Sequence, residues 1–235
     1  MKISAVVPAY FERDNLGELT ERLLRELEKI TPNFEILYVI QGDDGSRELL
    51  SNIEDKRVRL LYFPKPLGVA RAFLTGFEDV INGSDFILTM DADLNHQPEE
   101  IKNLWDCLKE KNADITIGSR YISGGKLIGM PLWKNITSRA MNKIINIFSG
   151  ISVADKTSGF RIYKPEVIKC ILSNITAENF EFYPEVILVA HKFGFSFAET
   201  PITFTFRTKG KSKMYKLQTI IGYVKMFFNK ISTRT

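Results

Sequence analysis

The sequence predicts an α/β fold, a mostly parallel central sheet flanked by helices. Three observations point there. Short, uniformly apolar runs of the kind that form strands buried on both faces alternate with stretches whose apolar residues recur every three or four positions. Acidic clusters follow three of those runs, where loops leave the carboxyl ends of strands in open α/β sheets. No Pro/Gly/Ser-rich linker, internal repeat or low-complexity tract breaks the 235 residues, a length for one large α/β domain or two small ones.

The elements follow in order. Ile3–Val7 is a short apolar strand, and Pro8 is expected to stop its ladder and begin a loop. Asp14 or Asn15 then caps a helix with Leu16, Leu19, Leu23, Leu27 and Ile30 on one face. Ile36–Ile40 and Val58–Phe63 are the second and third strands. A helix from about Val69 to Ile81 precedes the strand Phe86–Met90. Glu99–Lys111 turns Ile101, Leu104, Trp105 and Leu108 inward, and Ile115–Ile117 is the next strand. This βαβαβ order is that of a parallel sheet covered by helices.

After Arg120 the character changes. Pro131 to Phe148 reads as a basic helix with apolar residues at Leu132, Ile136, Met141, Ile144, Ile145 and Phe148. Gly159–Tyr163, helices near Glu166–Leu172 and Tyr183–Lys192, and late strands at Phe195–Glu199 and Ile202–Phe206 follow. Leu217, Ile220, Ile221, Val224, Phe227, Phe228 and Ile231 give a last helix its period. The expected division is a domain over 1–207, including helices at about 121–150, and a basic loop with an amphipathic helix over 208–235.

No apolar run reaches the roughly 18–20 residues that span a bilayer. The chain opens directly on a strand pattern, so no signal peptide is expected, and its two cysteines, Cys107 and Cys170, have no metal-ligand spacing. A reducing cytoplasm fits this usage. Charge is unevenly spread. Residues 115–154 and 200–235 contain no Asp or Glu but thirteen Lys and Arg, so with a net charge of +4 the remainder carries −9. Such separation suggests a polyanionic partner: an anionic membrane, phosphates or nucleic acid.

The most informative stretch is Met90-Asp91-Ala92-Asp93-Leu94-Asn95-His96-Gln97-Pro98. Two carboxylates one residue apart at a strand tip, with an amide nearby, suit Mg²⁺ or Mn²⁺, hard ions that bridge diphosphate oxygens. A polar turn before a helix opened by Pro98 would carry the same residues. At the first strand end, Tyr10 could border a base and Glu12 accept hydrogen bonds from one. At the second, Asp44 could bind a ribose hydroxyl or a base, or sit in a turn where Ser46 caps a helix. His96 could touch the donor, and is expected rather to cap the next helix. Arg120 could instead pair with a nearby carboxylate.

These clusters resemble glycosyltransferase family 2, whose fold is the GT-A type that binds nucleotide sugars. Ile117-Gly118-Ser119-Arg120-Tyr121, Pro131-Leu132-Trp133-Lys134 with Ser138-Arg139, Thr157-Ser158-Gly159-Phe160-Arg161 and Arg207-Thr208-Lys209-Gly210-Lys211-Ser212-Lys213 are similar, in the same order, to the dolichyl-phosphate mannose synthase branch. The resemblance implies a donor-nucleotide pocket at Pro8, Tyr10, Glu12 and Asp44. It implies a metal and diphosphate site at Asp91, Asp93 and Asn95, an acceptor-phosphate site at Arg120, Lys134 and Ser138, and a loop with Arg207 and Lys213 closing over the donor phosphates. Asn95 departs from the longer Gln common in relatives.

The implied reaction is inverting transfer of a hexose, mannose first, from a nucleotide-diphosphate sugar to polyprenyl or dolichyl phosphate. Asp93 and Arg120 are the implied catalytic pair. Mg²⁺ or Mn²⁺ would offset charge on the leaving diphosphate. The acceptor is already anionic and needs placement rather than a strong base. The basic helices at 132–148 and 214–231 could lie in the interface of an anionic membrane on its cytoplasmic face, or pack on the domain or a second subunit. A membrane-anchoring subunit is compatible with that arrangement. Other readings are a family 2 enzyme with a soluble sugar or protein acceptor, and a non-catalytic polyanion-binding relative. A nucleotidyltransferase predicts a Gly-rich basic loop where Ala9-Tyr10-Phe11-Glu12 stands. A nucleic-acid module gives the strand-end carboxylates no purpose, so nucleic acid is not an expected partner.

Overall fold

The computed structural model describes residues 1–206 together with Gly222, Tyr223, Lys225 and Met226. The sequence-predicted division at 207/208 and the terminal helix's periodic residues lie outside them. Nine strands and seven α-helices alternate through the described residues. β1 (Ile3–Tyr10), β2 (Phe34–Gln41), β3 (Val58–Phe63), β4 (Phe86–Thr89), β5 (Ile115–Ser119), β7 (Arg161–Tyr163) and β8 (Phe197–Pro201) form one sheet in the order β3-β2-β1-β4-β7-β5-β8. All its pairings are parallel except those of β7, which runs against both β4 and β5. β6 (Lys126–Ile128) and β9 (Thr203–Thr205) pair as a separate parallel ribbon, so the late strand expected at 202–206 does not join the main sheet.

The apolar runs form strands because both faces of the sheet are covered. Every residue of β2 is buried. Along β1 the alternation assigns the faces: Ala5, Val7 and Ala9 meet α1 (Arg13–Glu28) and α4 (Ile101–Lys111), while Val6 meets α3 (Val69–Val80). Helices α6 (Pro165–Asn174) and α7 (Phe182–Lys192) extend the α3 side. α3 lies very close to the sheet, because a Cβ on Gly76 would fall 2.4 Å from Val6 Cγ1.

Two local expectations are corrected. Pro8 does not end β1, which stays in register with β2 as far as Tyr10–Gln41. β1's pairing with β4 stops at Val6–Thr89, so beyond it β1 has an unpaired side where a missing N–H costs no ladder bond. α1 begins at Arg13 with Glu12 as its N-cap residue, so Asp14 sits in the first turn rather than capping it.

The chain runs β1–β2–β3 in one direction and then places β4 on the other side of β1. Ligands of open α/β sheets bind at such a switch point, at the carboxyl ends of the strands. There the loops after β1, β2, β4 and β5 meet. Because β7 runs backwards, the loop that precedes it arrives at the same edge.

Candidate active site

The Asp91 loop leaves β4 under tight control. Thr89 Oγ1 donates to the Gly159 carbonyl at 2.8 Å, tying the strand end to the loop before β7. Leu94 adopts a left-handed conformation (φ 57°), rare for a bulky residue, which curls the chain so that Asn95 turns back on Asp93. The Asn95 backbone N–H (3.1 Å) and side-chain Nδ2 (2.7 Å) both donate to the Asp93 carboxylate. Tyr183 Oη, on α7, donates to Asp91 Oδ1 at 2.7 Å. Burial, and then the Asp91 charge, hold that phenol well above its ordinary pKa, so it remains a donor.

His96 does not cap the following turn, whose N-cap residue is Gln97. It is 2% exposed, its ring between Phe160 and Phe204, both at 5.3 Å. Burial pushes its pKa down to about 4, so it is neutral at physiological pH. Neither ring nitrogen, nor the buried Asn95 Oδ1, has a hydrogen-bond partner. Two carboxylates beside an unmatched amide oxygen make a small set of hard donors. That set fits a divalent ion which takes its other ligands from phosphates and water. Among the described residues there is no cluster of three His, Cys, Asp or Glu that would form an all-protein cage.

Arg120 follows β5 directly. Its Nε and Nη2 each lie 2.7 Å from the two oxygens of Asp155, its backbone N–H reaches Oδ2 at 3.0 Å, and Nη2 also donates to Thr157 Oγ1 at 2.7 Å. Asp155 is fully buried. Burial disfavours both charges, but mutual attraction and the bidentate geometry outweigh it, raising the arginine's pKa and lowering the aspartate's. The carboxylate partner that sequence reasoning left open for Arg120 is therefore Asp155, 35 residues away. Glu199 on β8 holds that loop by accepting the backbone N–H groups of Ala154 (2.8 Å) and Asp155 (3.0 Å).

α5 (Leu132–Ser149) supplies the facing wall. Ser138 Oγ lies 3.1 Å from Thr157 Oγ1, joining it to the Arg120 network. Lys134 Nζ sits 4.6 Å from the centre of the Phe206 ring and 5.5 Å from that of Trp133.

The structure brings most of the sequence-predicted positions into one cleft of about 1690 Å³. Pro8, Tyr10 and Glu12 line it at the end of β1, Asp91, Asp93 and Asn95 in the loop after β4, Arg120 just after β5, and Lys134 and Ser138 on α5. The volume exceeds that of a typical single-ligand site, which leaves room for two substrates side by side. Asp44 is not among its walls. It accepts the N–H groups of Arg13 (3.1 Å) and Ser46 (3.0 Å), and Gly45, rather than Ser46, is the N-cap residue of α2 (Ser46–Ser51). It lines a separate depression with Arg13 and Glu48. Arg207 and Lys213 lie outside the described residues. Sequence reasoning missed Tyr183, Asp155, Thr157 and the cleft-lining Glu181. Of these only Thr157 stood within a motif that it had singled out.

The sequence profile of Glycosyl transferase family 2 matches residues 4–172. Polyprenol monophosphomannose synthase of Mycolicibacterium smegmatis is 34% identical over 89% of this chain and 79% of its own length. Dolichol-phosphate mannosyltransferase of Pyrococcus furiosus is 32% identical over 97% of this chain, which spans only 63% of that longer protein. Undecaprenyl-phosphate mannosyltransferase of Micrococcus luteus is 31% identical over 91% of this chain and 88% of its own. In fold, the chain is similar to glucosyl-3-phosphoglycerate synthase of Mycobacterium tuberculosis. Its complex with Mn²⁺, uridine diphosphate and phosphoglyceric acid superposes with a TM-score of 0.68 at 12% identity, covering 96% of this chain and 76% of that one.

Proposed function

The chain belongs to glycosyl transferase family 2 and is a glycosyltransferase, and we propose that it moves a hexose, mannose first, from a nucleotide-diphosphate sugar to polyprenyl or dolichyl phosphate. The observation that carries this reading is the pairing of opposite chemistries in one cleft. Asp91, Asp93 and the unmatched Asn95 oxygen share it with Arg120, Lys134 and Ser138. The names of the relatives favour mannose and a polyprenyl acceptor.

Tyr10 and Glu12 border the nucleotide end. Asp91, Asp93 and Asn95 would hold Mg²⁺ or Mn²⁺, which when bound offsets charge on the leaving diphosphate. Arg120 stays charged on its buried aspartate, an oriented donor for the anionic acceptor. Lys134 and Ser138 add a cation and a hydroxyl from α5. An acceptor phosphate placed in line with the anomeric carbon is already a nucleophile, and the chain's contribution is to hold it there. Arg207 and Lys213 would close over the donor phosphates.

Attachment to an anionic, cytoplasmic membrane face is part of the proposal. α5 leaves Leu132, Trp133, Ile136 and Ile147 exposed beside Arg139 and Lys143, on the helix that carries Lys134 and Ser138. No helix among the described residues is long and apolar enough to cross a membrane. Contact through α5 would bring the headgroup of a lipid acceptor to Lys134 and Arg120. A membrane-anchoring subunit would fit the same face.

The test is to incubate the protein with radiolabelled GDP-mannose, UDP-glucose or UDP-N-acetylglucosamine, Mg²⁺ or Mn²⁺, and a polyprenyl phosphate. Label should enter the organic phase with one donor, and Asp93→Ala should lower the rate by roughly a hundredfold or more. No transfer with any donor would end the lipid-acceptor reading.

A further inference from the structure

We propose that Tyr183 is a positioning residue for Asp91, its phenol fixing the carboxylate in the orientation that receives the divalent ion. This rests on the reading of Asp91 and Asp93 as the cation site. Asp91 is on a loop, one residue past the buried Met90, and its Oδ1 accepts the 2.7 Å bond from Tyr183 Oη. His96 cannot take that part, because its Nδ1 is 4.0 Å from Oδ2, too far for a hydrogen bond.

The tyrosine is itself closely packed. Its ring packs edge-on to Phe73 and Phe182, at 6.0 and 5.8 Å. Gly159 completes the fit: a Cβ there would come 2.7 Å from Tyr183 Cε1 and 3.2 Å from Asp91 Oδ2. Three separate pieces of chain, α7, the loop before β7 and the loop after β4, thus close around one carboxylate. A neutral donor on the outer side of a ligand carboxylate fixes its geometry and adds no competing positive charge. Loss of such partners typically weakens metal binding 10–100-fold.

The experiment is a Mn²⁺ titration followed by electron paramagnetic resonance, on the full chain, with and without GDP or UDP. Tyr183→Phe keeps the ring and its packing and should weaken Mn²⁺ binding tenfold or more. Val189→Ala loosens the same helix six residues beyond Tyr183 and should leave the Mn²⁺ affinity within about twofold. Unchanged affinity in Tyr183→Phe overturns the inference, as does an equal loss in both variants or an absence of Mn²⁺ binding by the unsubstituted protein. Label transfer by an enzyme whose Mn²⁺ affinity ignores Tyr183→Phe would refute this role and leave the transferase reading intact.

Discussion

α1 and α5 are both amphipathic helices of four turns or more, and they dock on the body of the protein by different means. α1 turns Leu16, Leu19, Leu23 and Leu27 onto the sheet, and all four are fully buried. α5 buries Ile145 and packs Met141 but leaves Leu132 78%, Ile136 65% and Ile147 68% exposed. Polar groups hold it instead. Asn142 Oδ1 accepts the Lys156 N–H at 2.8 Å, Ser138 meets Thr157, and the Lys156 ammonium donates to Asn146 Oδ1 and to the Ile151 and Val153 carbonyls. The apolar period of α1 is satisfied within the molecule. That of α5 is largely left exposed among the described residues, as the proposed contact with an external apolar phase requires.

Substitutions should separate the two helices. In α1, Leu19→Ala should lower the unfolding free energy by about 2–5 kcal/mol, measured by urea denaturation, because it leaves a void under a fully buried side chain. At the foot of α5, the decisive variable is pH. Burial lowers the Lys156 pKa to about 8, against roughly 10.4 in an unfolded chain, although Glu199 and Asp155 oppose the shift. The folded state therefore binds fewer protons than the unfolded state between those values, and stability rises with pH across that window. The penalty is full below about pH 8 and gone above about 10.4. Relative to Lys156→Met, the unsubstituted protein should gain about 2 kcal/mol between pH 7.5 and 10. A difference that stays flat across this range would show that the ammonium is not desolvated. The smallest effect on stability, within about 0.5 kcal/mol, is expected for Ile136→Ser with Ile147→Ser on the exposed face of α5. The same pair should weaken partitioning onto anionic vesicles about tenfold or more, and unchanged partitioning would exclude this stripe as the contact.

What was legible in the sequence follows the same division. Strands β1 to β5 and helices α1, α3 and α4 pack into the buried cores on the two faces of the sheet, so period and apolarity located them to within a few residues, whereas the six-residue α2 carries too short a pattern to be placed. The carboxylates at the tip of β4 were legible because the order of strands places tips on one edge. Pro8 misled because its cost depends on whether β1 is paired on both sides at that point, which only the sheet order determines. β7 and β9 are three residues each, too short to carry a period. Arg120 and Asp155 are an ion pair between distant loops, and no local signal marks Asp155. Tyr183 lies within a helix that is buried almost throughout, where one more aromatic residue gives no hint that its hydroxyl serves Asp91.

The one strand that runs against its neighbours has a consequence for the evolution of this chain. Entering the sheet from the opposite end, β7 drags residues 154–160 along the rim, so Asp155 anchors Arg120 at one end of the stretch while Gly159 abuts Asp91 at the other. A stretch pinned at both extremities has a fixed length. Inserting or deleting a single residue there would unseat the two halves of the chemistry together, whereas the connections at the far edge of the sheet can drift in length without either half noticing.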